Sequence, residues 1–435
     1  MNYEQALSYI SSTYSLGIKK GTENISYLLN LLDNPQNKVK VIHVAGTNGK
    51  GSTCSFISSV LTKAGYKVGL YTSPFLEVFN ERMRINGNNI EDQRLADLVE
   101  IVKEKIEIMV ADGMPHPTEF EVTTAVGFLY FALENVDYLV LEVGLGGRYD
   151  ATNVIDNPIL TIITSLSIDH VDQLGDSLAG IAFEKAGIIK NSVPLVLYPQ
   201  KEEASAVIYD QAKLKNAPVY QVESSNVSIS EKSLYGQKMT MNISGESFED
   251  LAISLIGDHQ SKNALTAVTA LKVLRDNKLA EFTNEHLRQG LSETKWAGRL
   301  ELLVKEPITI IDGAHNEDGA EVLAQAIRKY LSDYKVTLVF GMLRDKDVNK
   351  VLGILLPVVD KVITAMPNSD RAMTAEDLAQ KVKVFEKPVE VSKDIKDAVE
   401  KASMISGEKE AIVYAGSLYM IGEVRTLINK MNDSL

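Results

Sequence analysis

Val39-Lys40-Val41-Ile42-His43-Val44-Ala45-Gly46-Thr47-Asn48-Gly49-Lys50-Gly51-Ser52-Thr53 is the stretch that sets the architecture of this 435-residue chain. Its apolar, β-branched opening reads as a buried strand, which passes into a glycine-rich turn with one lysine and then directly into a helical pattern. Glycines let successive backbone N–H groups converge on an anion, and the N-terminus of the following helix adds partial positive charge. Lys50 supplies a full cation for the β- and γ-phosphates of a nucleotide, and a hydroxyl after it suits a bound Mg²⁺. Gly51 stands between Lys50 and Ser52, where the ordinary phosphate-loop pattern has no extra residue. The stretch predicts an ATP-handling enzyme.

Outward from this turn, residues 38 to about 295 alternate short apolar strands with longer helical patterns. Strands are expected at Lys67–Tyr71, Tyr138–Glu142, Leu160–Thr164 and Pro194–Leu197, and helices at Glu91–Ala111, Glu119–Asn135, Ser177–Ala186 and Ser261–Arg275. That rhythm predicts a largely parallel sheet covered by helices. Between Val222 and Ile256 it breaks into short alternating segments such as Lys238-Met239-Thr240-Met241-Asn242-Ile243, which predict a small antiparallel insertion. After Trp296-Ala297-Gly298-Arg299, strands at Ile308–Ile311, Val336–Phe340, Lys361–Thr364 and Ala411–Tyr414 predict a second, smaller open-sheet α/β domain. The expected division is 1–295 and 296–435, with ligands in a cleft beyond the carboxyl ends of the strands.

Composition narrows the function class. The apolar fraction of 45% is ample for packed cores, and the formal charge of −13 gives no general attraction to nucleic acid or anionic membrane. Anionic ligands must therefore be held by local features. Cys54 is the single cysteine, which excludes an internal disulfide, fits a reducing compartment and reads as a buried small residue. The opening segment lacks a basic region followed by an apolar run, and no apolar stretch approaches the ~20 residues needed to span a bilayer. The expectation is a soluble, cytoplasmic protein.

Other chemistry-bearing residues fall after predicted strands. Tyr138–Glu142 closes on a carboxylate followed by Val143-Gly144-Leu145-Gly146-Gly147-Arg148, a usual place for Mg²⁺ coordination beside a phosphate loop. His170 follows another strand in Ser167-Ile168-Asp169-His170-Val171-Asp172; a lone histidine there reads equally as a structural residue or a ligand. Glu184-Lys185 by itself reads as an exposed charge pair on a helix that Gly187 caps. Asp312 and His315 lie beyond a strand in the second domain, and Gly257-Asp258-His259-Gln260-Ser261-Lys262-Asn263 opens a helix with polar side chains.

The series AGTNGKGS, TSPFL, FNER, EVGLGGRYDATN, DHVDQLGDSLAGIAFEKAGIIK, GDHQSKNA, WAGRLE, DGAHN, DKD and GSLYMIGEVR, in order from Thr47 to Arg425, resembles the folylpolyglutamate synthase/dihydrofolate synthase family of the Mur-ligase superfamily. The resemblance implies a phosphate-loop ATPase-type domain followed by a smaller Rossmann-like domain. It implies an amide ligase that uses ATP to activate a carboxylate as an acyl phosphate and joins it to L-glutamate. The acceptor would be a reduced folate, dihydropteroate or both. Asn48, Gly49, Lys50, Gly51, Ser52, Asn263, Arg299, Asp312 and His315 would contact ATP. Ser73, Glu142, His170 and Lys185, the last if carbamylated, would hold one Mg²⁺ or two; whether K⁺ assists stays open. Ser15, Leu16, Gly17, Ile18, Thr118, Tyr149, Asp150 and Ala151 match segments around the pteroate site, and Asp312, His315 and Ser417 the glutamate site. Lys50, Lys185 and His315 would act nearest the chemistry. Family analogy suggests a monomer.

Phe183, Glu317 and Tyr149 depart from the family pattern; Tyr149, in place of a common leucine, could alter how the pterin packs. A cell-wall Mur ligase is the alternative within the superfamily, disfavoured by GKGS, TSPFL and the DATN loop. A regulatory protein with a dead site predicts loss of Lys50, Glu142, His170 or Lys185, and all are present. A kinase that stops at phosphoryl transfer gives no role to the second domain.

Overall fold

The computed structural model describes residues 1–13, 21–169, 173, 175–405, 407 and 409–432. The opening stretch folds as β1 (Lys40–Ala45), a tight turn and the helix Lys50–Lys63. β1 sits inside an eight-stranded sheet with β2 (Val68–Tyr71), β3 (Met83–Ile85), β4 (Asn88–Asn89), β5 (Tyr138–Glu142), β6 (Leu160–Ile163), β7 (Leu195–Leu197) and β8 (Val219–Gln221). The order is β4-β3-β2-β5-β1-β6-β7-β8. Strands β2, β5, β1, β6, β7 and β8 run parallel, and β3 and β4 add an antiparallel hairpin at one edge.

Both faces of this sheet are covered, which explains its continuous apolar strands. Successive side chains point to opposite faces. Ile42, Val44, Tyr138 and Val140 pack with the helices Lys50–Lys63, Asp258–Asp276 and Asn284–Glu293. Val41, Leu139 and Leu141 pack against Tyr3–Ser12, Glu23–Leu31, Asp92–Ala111 and Glu119–Leu133. The expected insertion is a three-stranded antiparallel sheet of β9 (Val227–Ser233), β10 (Gly236–Ile243) and β11 (Glu246–Ile253). Met239, Met241 and Ile243 are buried on its inner face, whereas Lys238 and Asn242 are exposed.

The second domain has six strands: β12 (Glu301–Lys305), β13 (Ile308–Asp312), β14 (Lys335–Phe340), β15 (Lys361–Thr364), β16 (Val389–Val391) and β17 (Glu410–Ala415). Their order is β12-β13-β17-β14-β15-β16, all parallel except β12. The sequence reading missed β12 and β16. Both are edge strands of half-buried residues, so neither shows a contrast between inner and outer positions. Gly187 also differs from expectation: it lies within a 3₁₀ turn, Ala186–Ile188, that prolongs the helix Leu178–Lys185. A Cβ there would come 2.7 Å from the backbone nitrogen of Arg148, so this glycine serves close packing. No described helix is long and apolar enough to cross a membrane.

Candidate active site

In-register parallel pairing aligns the carboxyl ends of β1, β5 and β6: Val44 pairs with Glu142 and Ala45 with Ile163. Their exit loops therefore lie side by side. In the first, Gly49 takes the left-handed conformation at φ 83° and leads straight into the helix. A Cβ on Gly49 would lie 2.5 Å from Oδ1 of Asn263, so that side chain leans directly on the turn. The Thr47 N–H donates to Ser165 O at 2.8 Å, and Asn48 Nδ2 donates to Ser167 Oγ at 3.2 Å. Gly51 explains the departure from the ordinary loop pattern: a Cβ there would stand 2.7 Å from Cε2 of Trp296, which packs over the helix start.

Lys50 Nζ donates to Thr47 O at 3.2 Å and lies 3.9 Å from Oε1 of Glu142. Glu142 is buried at the end of β5, and its Oε2 accepts the Ser73 N–H at 3.1 Å. Burial raises its pKa, opposed chiefly by Lys50. Lys185 corrects the reading of an exposed charge pair: it is 5% exposed, and its Nζ donates to Gly46 O at 2.8 Å. Gly147 permits this docking, since a Cβ there would sit 2.8 Å from Glu184 O. Burial, helped by the charge of Lys50, lowers the Lys185 pKa to about 7. Among the described residues no three His, Cys, Asp or Glu side chains converge as a metal centre. The Glu142 carboxylate and the hydroxyls of Ser52 and Ser73, which line the same cavity, are hard oxygen donors of the kind Mg²⁺ takes. Lys185 as an amine donates a hydrogen bond to Gly46 and supplies no oxygen of the kind Mg²⁺ takes. His170 lies outside the described residues.

The facing wall is built on β13. Buried Asp312 ends this strand and accepts the Leu300 and Ala314 N–H groups, both at 2.8 Å, tying together the segments that carry Arg299 and His315. Burial raises its pKa, and Arg299 opposes the rise. His315 Nδ1 is 2.8 Å from Gly313 O; a carbonyl only accepts, so Nδ1 carries the proton and Nε2 a lone pair. Burial and then Lys346 lower the ring pKa to about 4, so His315 is neutral near pH 7. Its 3.9 Å separation from Asp169 is therefore no ion pair. Asp169, on the loop after β6, instead takes Lys346 Nζ at 3.0 Å and Asn316 Nδ2 at 3.2 Å, which ties the two domains together across the cleft. Ser417 is buried, and its Oγ has no hydrogen-bond partner among the described residues.

The two walls enclose a cavity of about 660 Å³. Asn48, Gly49, Lys50, Gly51, Ser52, Ser73, Glu142, Lys185, Asn263, Arg299, Asp312, His315 and Ser417 all line it, joining residues the sequence reading drew from distant motifs. Trp296, Tyr198 and Lys346 also line it, and nothing in their sequence surroundings beyond the DKD triplet around Lys346 and the WAGRLE stretch of Trp296 marks them for the site. Thr118, Tyr149, Asp150 and Ala151 do not line it. Thr118 caps the helix Glu119–Leu133 in a reciprocal pair with Glu121, and Asp150 accepts from Leu145 N, Thr152 N and Thr152 Oγ1. Tyr149 is 49% exposed, and Ala151 is buried. Ser15, Leu16, Gly17 and Ile18 lie outside the described residues.

Residues 44–271 match the Mur ligase middle domain, and residues 298–418 match the Mur ligase glutamate ligase domain. The chain is 38% identical to the dihydrofolate synthase/folylpolyglutamate synthase of Bacillus subtilis over 97% of its own length and 98% of the relative's. The Mycobacterium tuberculosis folylpolyglutamate synthase complexed with ADP superposes with a TM-score of 0.90 at 32% identity, covering 98% of each chain. Escherichia coli FolC in complex with DHPP and ADP gives 0.88 at 30% identity over 99% of each. Two domain matches in the right order and end-to-end similarity agree with what the loops already indicate, and the chain belongs to the folylpolyglutamate synthase/dihydrofolate synthase family of Mur ligases.

Proposed function

We propose that this chain is an ATP-dependent ligase that adds L-glutamate to the carboxylate of a reduced folate, and of dihydropteroate as well. The observation that carries this reading is the single cavity that brings Lys50 and Glu142 of one domain opposite Arg299, Asp312 and Ser417 of the other. A carboxylate is a poor electrophile, so an oxygen of the acceptor first attacks the γ-phosphorus. The bond to the β–γ bridging oxygen breaks and ADP leaves. The glutamate amine, after losing a proton, then attacks the acyl-phosphate carbon; the carbon–oxygen bond to phosphate breaks and an amide forms. Lys50, the backbone N–H groups of the turn and Arg299 offset the charge spread over the phosphates, and the two walls hold the reactants in line.

Glu142, Ser73 and Ser52, with His170 from the resemblance, would hold Mg²⁺, which when bound neutralises phosphate charge. Lys185 fits carbamylation, because an amine with a pKa near 7 is substantially neutral at working pH and takes up CO₂. The product is an anionic two-oxygen group suited to Mg²⁺. Asp312, His315 and Ser417 are proposed to receive glutamate, and the loops around Thr118 and Tyr149–Ala151 the pterin. Both walls come from one chain, which supports action as a monomer; the formal charge of −13 supports the absence of a nucleic-acid or membrane partner, and the single cysteine fits a cytoplasmic enzyme.

The test is product mass after incubation with Mg-ATP, glutamate and tetrahydrofolate, dihydropteroate or no acceptor. Replacing Na⁺ by K⁺ in the same assay reads out any monovalent-ion requirement. One glutamate added to both acceptors is expected. Addition to tetrahydrofolate alone would remove the dihydropteroate half of the proposal, and addition to neither would overturn it.

A further inference from the structure

The segment after Ser73 crosses from the first domain to the second. Leu76 rests against glycines: a Cβ on Gly422 would lie 2.8 Å from its carbonyl carbon, and one on Gly298 would meet its side chain at 3.2 Å. The segment is stiffened from within by Glu81, whose carboxylate accepts the N–H groups of Leu76, Glu77 and Val78 at 3.0, 2.8 and 3.0 Å. At its tip Glu77 pairs with Arg425 Nη1 and accepts from Thr426 Oγ1 at 2.5 Å, both on the helix Leu418–Asn432. On its other side Arg425 donates through Nε to both oxygens of Glu301, at 3.0 and 3.1 Å. Glu301 also accepts the Gly298 N–H at 2.8 Å.

These contacts form one connected chain. It begins at Glu142, which takes the Ser73 N–H, and runs through the stiffened segment to Glu77, Arg425 and Glu301. It ends at Gly298, next to Arg299, whose other neighbour Leu300 donates its N–H to Asp312. Each end is a cavity wall, and Arg425 itself does not line the cavity. We propose that Arg425 is a positioning residue: clamped between Glu77 and Glu301, it sets the spacing between the wall bearing Lys50 and Glu142 and the wall bearing Arg299 and Asp312. This inference rests on the ligase reading, because both walls must act on one substrate for their spacing to matter. A guanidinium suits the task, since its planar fork engages two carboxylates in a fixed geometry where a lysine would hold only one direction.

The test compares the parent chain with Arg425→Met, Glu77→Gln, their double variant, Arg425→Lys and Thr426→Val, in Mg-ATP, glutamate and each acceptor, with thermal melting alongside. Misplacing the walls by about 1 Å is expected to lower kcat about a hundredfold in Arg425→Met while KM for ATP and glutamate stays near the parent's. The double variant should lose no more than the worse single one, because both remove the same link. Arg425→Lys should recover part of kcat, and Thr426→Val, which removes one donor to Glu77, should lower it in the same direction by less. A lower melting temperature with parent kcat per folded molecule would overturn the proposal, as would additive losses in the double variant. If Arg425→Met fails to fold, parent kcat in both Arg425→Lys and Thr426→Val would overturn it equally. A parent chain that makes no product would instead strike the ligase reading, and this inference with it.

Discussion

On the β1–β5–β6 side of the cavity, Lys50, Lys185 and Glu142 gather ionisable groups held mostly by backbone: Lys50 and Lys185 donate to backbone carbonyls, Glu142 accepts one backbone N–H, and Lys50 and Glu142 face each other at 3.9 Å. On the β13 side Arg299 adds a cation, and Asp312 and His315 are already committed. Asp312 takes two backbone donors, His315 is neutral with its Nδ1 proton engaged, and the Ser417 hydroxyl is buried with no described partner. The contrast separates two tasks. The first wall sets the Lys50 cation beside a buried carboxylate and a buried amine of lowered pKa, a set that suits phosphate and a divalent cation. The second adds the Arg299 cation to a fixed shape with a neutral lone pair and a hydroxyl, which suits holding phosphate from the far side and orienting an amino acid.

That contrast is open to attack at four points. Lys50→Ala removes the main side-chain cation of the first wall and should lower kcat at least about a thousandfold, with the fold retained by circular dichroism. Near-parent turnover would remove the phosphate assignment. Lys185→Ala should cost about a hundredfold, with partial recovery on adding acetate or formate; parent activity without additive would exclude the carbamate. On the second wall, Ser417→Ala should raise KM for glutamate about tenfold, the cost of one hydrogen bond, and leave KM for ATP unchanged. A change in ATP affinity instead would blur the division between the walls.

The smallest effect is on stability alone. His43, buried in β1 behind the first wall, donates to Thr152 Oγ1 at 2.9 Å because that hydroxyl itself donates to Asp150. Burial, then Lys190, lowers its pKa to about 3 from an ordinary 6.5. Between those values the unfolded chain binds a proton that the folded chain refuses, so this group's contribution to stability falls as pH drops from 6.5 towards 3. The slope is at most about 1.4 kcal/mol per pH unit. His43→Met should therefore lose less stability than the parent in urea titrations between pH 6.5 and 4.5, and equal slopes would show that burial does not hold His43 neutral.

The first wall was the easier to read from sequence because its parts are local. The glycines, Lys50 and Ser52 are contiguous, and Glu142 announces itself as an acid at the end of an apolar strand that runs straight into a glycine-rich turn. Lys185 was not readable in that way. Its sequence neighbours give a surface pair, and only the absent side chain of Gly147 lets the helix end reach Gly46. The second wall needed the family resemblance, since DGAHN alone does not say which loop it faces. The link from Glu77 to Arg425 spans 348 residues, and no local pattern marks either partner as more than a solvated charge. The edge strands β12 and β16 escaped for the related reason that half-exposure erases periodicity.

The most direct test of two walls acting in succession on one carboxylate follows an oxygen atom. An acceptor labelled with ¹⁸O in that carboxylate is incubated with Mg-ATP and glutamate, and the released phosphate is analysed by mass. The account predicts one ¹⁸O in each phosphate, because the attacking carboxylate oxygen leaves with phosphorus when the amine displaces it. Amide product accompanied by unlabelled phosphate would contradict it.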